Sequence, residues 1–178
     1  SGSVYGDDFK DGVDAHKRKD YKEAFRLWKS SAEQGNAVAQ SNLGLMFEIG
    51  QGVPQDYKEA VRLYRLSAEQ GNTLGQSNLG LIYEEGKGVP QDYKEAVKWY
   101  RLAAEQGDAR SQFTLGLMYD NGTGVLQDYK EAIKWYRLSA EQGYARSQYN
   151  MGLMYNNGTG VPQDYKEAVR LYRLSAEQ

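Results

Sequence analysis

The sequence predicts an all-α protein, a right-handed α/α solenoid (superhelix) of about five helix-turn-helix units. Three observations predict it. The pentapeptide Asp-Tyr-Lys-Glu-Ala begins at Asp20, Asp56, Asp92, Asp128 and Asp164, a period of 36 residues throughout. Gly44, Gly80, Gly116 and Gly152 keep the same step, as do the pairs Gly50/Gly52, Gly86/Gly88, Gly122/Gly124 and Gly158/Gly160. Each period also holds two helix-length segments with apolar residues three and four apart. Stacked helical hairpins leave this signature.

The first hairpin is irregular. Eight residues lead from Gly12 to Asp20 but twelve from Gly44 to Asp56, so this unit lacks a four-residue loop extension and reads as an N-terminal cap. In the second unit, helix A is expected over about Ala37 to Ile49, with Ala39, Leu43, Met46 and Phe47 at helical spacing and more apolar residues between them. Such a helix is buried on more than one side. Gly50-Gln51-Gly52-Val53-Pro54-Gln55 then turns the chain, the glycines supplying positive φ and the proline stiffening the approach to helix B. Asp56 with Glu59 opens helix B as a near relative of the capping box. That helix runs to about Gln70, burying Tyr57, Ala60, Val61, Tyr64 and Ala68 and turning Lys58, Glu59, Arg62, Arg65 and Glu69 outward as a solvated convex face. Gly71 closes it, because glycine takes the left-handed C′ conformation at least cost. Asn36, Asn72 and Asp108 can cap successive A helices, whereas Tyr144 cannot, so the last helix A is expected to fray most at its start. Residues 1–4 read as an expression remnant or disordered lead, 5–36 as the first unit, and 37–72, 73–108, 109–144 and 145–178 as four full repeats of one continuous domain.

Composition narrows the chemistry. The 178 residues include no Cys and one His, which removes disulfides, thiolate nucleophiles, Cys-based metal sites and His-rich ones. A Ser-His-Asp relay would have to use His16, inside the charged stretch Asp14-Ala15-His16-Lys17-Arg18. Adjacent Glu84 and Glu85 diverge by about 100° on a helix and so do not share one bond between them. The glycine loops match neither phosphate-binding pattern, since no strand precedes them. The expectation is therefore a protein that is not an enzyme and needs no metal or cofactor. With 22 basic and 24 acidic residues there is no basic field for nucleic acid, and no apolar run approaches the ~20 residues of a membrane span. The compartment stays open.

The segments Gln40-Ser-Asn-Leu-Gly-Leu-Met-Phe47, Gly50-Gln-Gly-Val-Pro54, Asp56-Tyr-Lys-Glu-Ala60 and Ala68-Glu-Gln-Gly71 recur through the second to fifth units. In these the chain resembles the Sel1-like repeat proteins, relatives of the tetratricopeptide repeats. Residues 5–36 resemble a tetratricopeptide-like unit through Gly12, Asp20, Tyr21 and Ala24. The resemblance implies an α/α solenoid acting as adaptor or scaffold, as in membrane-associated degradation complexes, bacterial signalling and host contact. One bacterial branch is secreted and cysteine-rich, with β-lactam binding ascribed to it; this sequence departs from that branch in having no Cys.

The repeats can also be compared with one another. Counting each helix A from Ala37, Thr73, Ala109 and Ala145, the second slot holds Val38, Leu74, Arg110 and Arg146, and the fifth Ser41, Ser77, Phe113 and Tyr149. The ninth is constant as Leu45, Leu81, Leu117 and Leu153. The twelfth and thirteenth include Glu48, Glu84, Glu85 and Asp120. These slots share one helix face, which lines the concave side in tetratricopeptide-like solenoids. On its flank the sixth slot holds Asn42, Asn78 and Asn150, whose amides suit the backbone of an extended peptide. The expected site is thus a concave groove that is acidic at Glu48, Glu84, Glu85 and Asp120 and cationic and aromatic at Arg110, Arg146, Phe113 and Tyr149. Its expected partner is a peptide or helix of another protein, with no nucleic acid and no membrane insertion. The expected state is a monomer or weak end-to-end oligomer, and the alternative function is a structural, self-assembling piece of a longer array stacking through an uncovered C-terminal end.

Overall fold

The computed structural model describes residues 7–178; the remnant assigned to residues 1–4 and the start of the first unit lie outside the described residues. Among the described residues the regular elements are ten helices: α1 (Asp8–Lys17), α2 (Tyr21–Glu33), α3 (Ala37–Ile49), α4 (Tyr57–Glu69), α5 (Thr73–Glu85), α6 (Tyr93–Glu105), α7 (Ala109–Asn121), α8 (Tyr129–Glu141), α9 (Ala145–Asn157) and α10 (Tyr165–Ala176). They alternate as helices A and B of five hairpins, an all-α solenoid. The helices fall into two compact units, the first ending at Asp92 and the second running from Tyr93 to Gln178. In the first, α1 packs on α2 and α3 on α4, while α2 meets α3, α4 meets α5 and α3 also touches α5. In the second, α7 packs on α8 and α9 on α10, while α6 meets α7 and α8 meets α9.

Local chemistry sets the boundaries. The carboxylates of Asp20, Asp56, Asp128 and Asp164 accept from the glutamate amide three residues on, at 3.0 to 3.2 Å. The side chains of Asn36, Asn72 and Asp108 accept from Ala39, Gly75 and Ser111 at 2.9, 2.9 and 2.8 Å, whereas Tyr144 makes no side-chain cap. Gly50 and Gly52 turn the interhelix loop at φ of 68° and 72°, where an L side chain is disfavoured. The shorter turn of the first hairpin instead places Lys19 at φ 63°.

Packing explains the constant slots. A Cβ on Gly116 would lie 2.6 Å from the Tyr136 ring, so only glycine lets α7 approach α8 this closely. The buried amides of Gln40, Gln76, Gln112 and Gln148 donate to the carbonyls of Ala32, Ala68, Ala104 and Ala140 at 3.1 to 3.3 Å. Each thereby gives a second hydrogen bond to an end carbonyl of the preceding helix B, which also accepts from the glycine amide three residues on. Trp28, Trp99 and Trp135 are each 5% exposed, in the core. On α10, Val169 is 46% exposed where Val61, Val97 and Ile133 are at most 8%.

Candidate binding groove

In the first unit, Asn42 and Asn78 lie half-buried on α3 and α5, and neither side-chain amide has a hydrogen bond among the described residues. Leu45 beside them is 42% exposed and Leu81 half-buried. Glu48 does not stand free: the Tyr64 hydroxyl donates to its Oε2 at 2.6 Å. Burial first, and this carboxylate second, push the Tyr64 hydroxyl far above the ordinary tyrosine range, so it remains a proton donor. Glu84 is half-buried, and exposed Glu85 pairs with Lys87 at 2.7 Å. Leu74 is exposed, and the Ser77 hydroxyl donates to its carbonyl at 3.2 Å.

Ser41 departs from the groove assignment. It is fully buried, its hydroxyl 2.6 Å from that of Ser67 and donating to Asn72 Oδ1 at 3.0 Å. Its position joins hairpins and presents nothing to a partner.

In the second unit, Arg110 is exposed, Leu117 half-buried and Leu153 37% exposed. Phe113 is the second departure: at 3% exposure its ring packs against Tyr136 and Tyr144, with centroids 5.9 and 5.3 Å away, under the Arg146 guanidinium at 4.6 Å. Tyr149 keeps half its surface exposed while leaning on Tyr172 at 5.5 Å. Phe113, Leu117, Arg146, Tyr149 and Asn150 together line a cavity of about 400 Å³. The Tyr136 hydroxyl donates to Asp120 Oδ2 at 3.0 Å and accepts from Asn150 Nδ2 at 3.4 Å, so Asn150 spends its amide inside the fold.

The helix B side is also less plain than the solvated face expected of it. A cavity of about 470 Å³ opens between Phe25, Leu43, Phe47, Leu63 and Leu66, and another of about 370 Å³ between Met151, Tyr155, Leu171 and Leu174. Arginines from helix B reach across such creases to tyrosine hydroxyls, Arg65 to Tyr83, Arg101 to Tyr119, and Arg137 to Tyr155 at 3.2 Å. Lys29 and Phe47 hold these two slots in the first crease, and phenylalanine has no hydroxyl to bond. That exchange was visible in the repeats but lay outside the helix A comparison.

Among the described residues no group of three or more His, Cys, Asp and Glu side chains could hold a metal ion, and no helix is long and apolar enough to cross a membrane. Paired helices stacked at a 36-residue period define an all-α helical-repeat protein. More particularly, the Sel1 repeat family model matches residues 9–36, 37–72, 73–108, 109–144 and 145–178, and the chain belongs to that family. Sel1 repeat proteins are generally protein-interaction scaffolds and generally not enzymes.

The structure is similar to that of a protective antigen of uropathogenic Escherichia coli strains displaying an SLR fold, with a TM-score of 0.94 and 39% identity over 98% of this chain and 38% of that one. It is similar also to a Sel1 repeat protein of Oxalobacter formigenes, with a TM-score of 0.91 and 39% identity over 96% of this chain and 68% of that one. Cysteine-rich protein B of Helicobacter pylori, at 22% identity and a TM-score of 0.53 over 82% of this chain and 96% of its own, shares the fold. The chain thus spans well under half the length of the E. coli antigen. No curated protein sequence matches it.

Proposed function

We propose that this protein is a non-enzymatic adaptor that holds a peptide or helix of another protein along the concave faces of its A helices. The observation that carries this reading is the state of Asn42 and Asn78, half-buried amides with donor and acceptor unspent beside exposed leucine. A half-buried amide that makes no bond within the fold keeps its donor and acceptor open to an outside partner, and an extended peptide backbone offers it both a carbonyl and an N–H. The invariant leucines add apolar area next to them.

The test begins with peptides selected from a random phage-displayed library against the folded protein. Their affinity is then measured calorimetrically for the wild type, for the double variant Asn78→Ala/Leu81→Ala, and for a convex-face control, Lys58→Ala. Removing two polar contacts and one apolar contact is expected to weaken binding by about tenfold or more, with helical circular dichroism unchanged. The control should bind as the wild type does. Unaltered affinity in the Asn78/Leu81 variant overturns the groove reading.

A further inference from the structure

On the helix A side two cavities occupy equivalent slots of the period, and in the first of them the chemistry inverts. In the second unit a cavity of about 210 Å³ opens beside Asp120, lined by Asn150, Leu153, Met154 and Thr159. Residues of the same slots, Asn42, Leu45, Met46 and Gln51, line a cavity of about 290 Å³ in the first unit. There the slot of Asp120 is filled by His16, and Val13, Lys17 and Trp28 complete the wall. Counted four residues past the helix-packing glycines, the series is His16, Glu48, Glu84, Asp120 and Asn156.

Trp28 accounts for the change. It occupies the slot of Tyr64 and Tyr136, whose hydroxyls bind Glu48 and Asp120, but an indole has no hydroxyl with which to hold an acid. His16 stacks on the Trp28 ring instead, with centroids 5.2 Å apart, and its Nε2 lies 3.1 Å from Gln51 Oε1. Lys17, one residue on, is exposed and forms no ion pair among the described residues. The cavity beside His16 therefore has an apolar wall of Val13, Leu45, Met46 and Trp28, no carboxylate in its lining, an unspent amide at Asn42 and an unpaired cation at its rim.

We propose that this cavity is the anchor pocket of the groove: it takes a leucine- or phenylalanine-sized side chain of the bound peptide, and Lys17 selects for an acidic residue beside that anchor. This rests on the groove reading and specifies what the groove prefers. The cavity lies at the lower end of the ~300–1,000 Å³ span of ligand pockets, suited to one side chain rather than a whole small molecule. Charge complementarity at the rim then decides between anchors of equal size.

His16 is the chain's only histidine, so its ring-proton resonances report on this pocket alone. The probes are short fluorescein-labelled Ser/Gly peptides carrying one leucine flanked by aspartates, the same peptide flanked by lysines, and an aspartate-flanked alanine control. Anisotropy reads total binding and the His16 signals read the site. The aspartate-flanked leucine peptide is expected to displace the His16 signals and to bind about tenfold tighter than its lysine-flanked counterpart at low salt. Lys17→Glu, an exposed substitution, should reverse that order, and Leu45→Ala should weaken both peptides. Binding that leaves the His16 signals in place, or the same order of affinity in Lys17→Glu, overturns the anchor pocket. If those bound peptides are still weakened by Asn78→Ala/Leu81→Ala, the groove stands without it. No binding by either leucine peptide overturns the anchor pocket alone, and the groove then stands or falls with the library-selected peptides.

Discussion

Ser41 bonds to Asn72, the residue that caps the next helix A, whereas Phe113 packs on Tyr144, which stands at the same position and caps nothing. The two members of each pair are 31 residues apart, off the 36-residue period, so comparing repeats slot by slot shows that the fifth slot varies without showing why. Leu45 and Leu153 teach the converse: constant in every repeat, they are nevertheless 42% and 37% exposed. Constancy alone therefore did not separate packing from display, because a helix A is covered on several sides and its open strip is narrow. The pairing has an energetic consequence. Tyr144→Asn alone should supply a cap, a gain of about 1 kcal/mol, but remove the ring from Phe113 and so give little net stability. Combining it with Phe113→Ser recreates the Ser41/Asn72 arrangement. Urea denaturation of the two single variants and the double is expected to show a coupling of about 0.5–1.5 kcal/mol favouring the matched pair. Simple additivity would mean that the two positions vary independently.

Whole elements were far more legible, since helix ends are written in short-range chemistry. The helix A boundaries expected at Ala37 and Ile49 are those observed, and each Asp-x-x-Glu start places its carboxylate on the amide three residues on, at the four starts where that bond is described. The creases on the helix B side were not legible, because the Arg65–Tyr83 and Arg101–Tyr119 contacts join an arginine that looks solvent-facing alone to a tyrosine on another helix whose slot reads as packing. The missing cap of α9 makes a direct prediction about local stability. Its first turn is held through the Tyr144 carbonyl, which accepts from Ser147 at 3.1 Å, while α7 in the same unit has the Asp108 side chain. Loss of a cap worth about 1 kcal/mol corresponds to roughly fivefold faster opening. Amide hydrogen exchange should therefore be about that much faster at Ala145–Ser147 than at Ala109–Ser111. Equal protection would show that the Phe113–Tyr144 packing substitutes fully for the cap.

For the molecule as a whole, the period rather than the residue is the natural unit of change, because within each unit a hairpin is held by its neighbours. Excising residues 109–144 removes one period and brings Asp108 directly before Ala145. The junction then gives α9 the aspartate cap that it lacks, and it takes out Phe113 and Tyr144 together, leaving neither half of that pair exposed. Ala104 on α6 would receive α9 in the slot that now receives α7, with Gln148 reaching its carbonyl in place of Gln112. The shortened chain is expected to keep its helical signal per residue and melt in one transition at lower temperature. Its urea m-value should be smaller, since less surface is exposed when it unfolds. Excising residues 109–126 instead removes α7 and most of its loop and leaves α8 without its hairpin mate. That out-of-phase chain should lose helix and cooperativity. If the two excisions unfold alike, the order of the array resides in contacts that reach past neighbouring hairpins, and the repeat is a unit of sequence but not of stability.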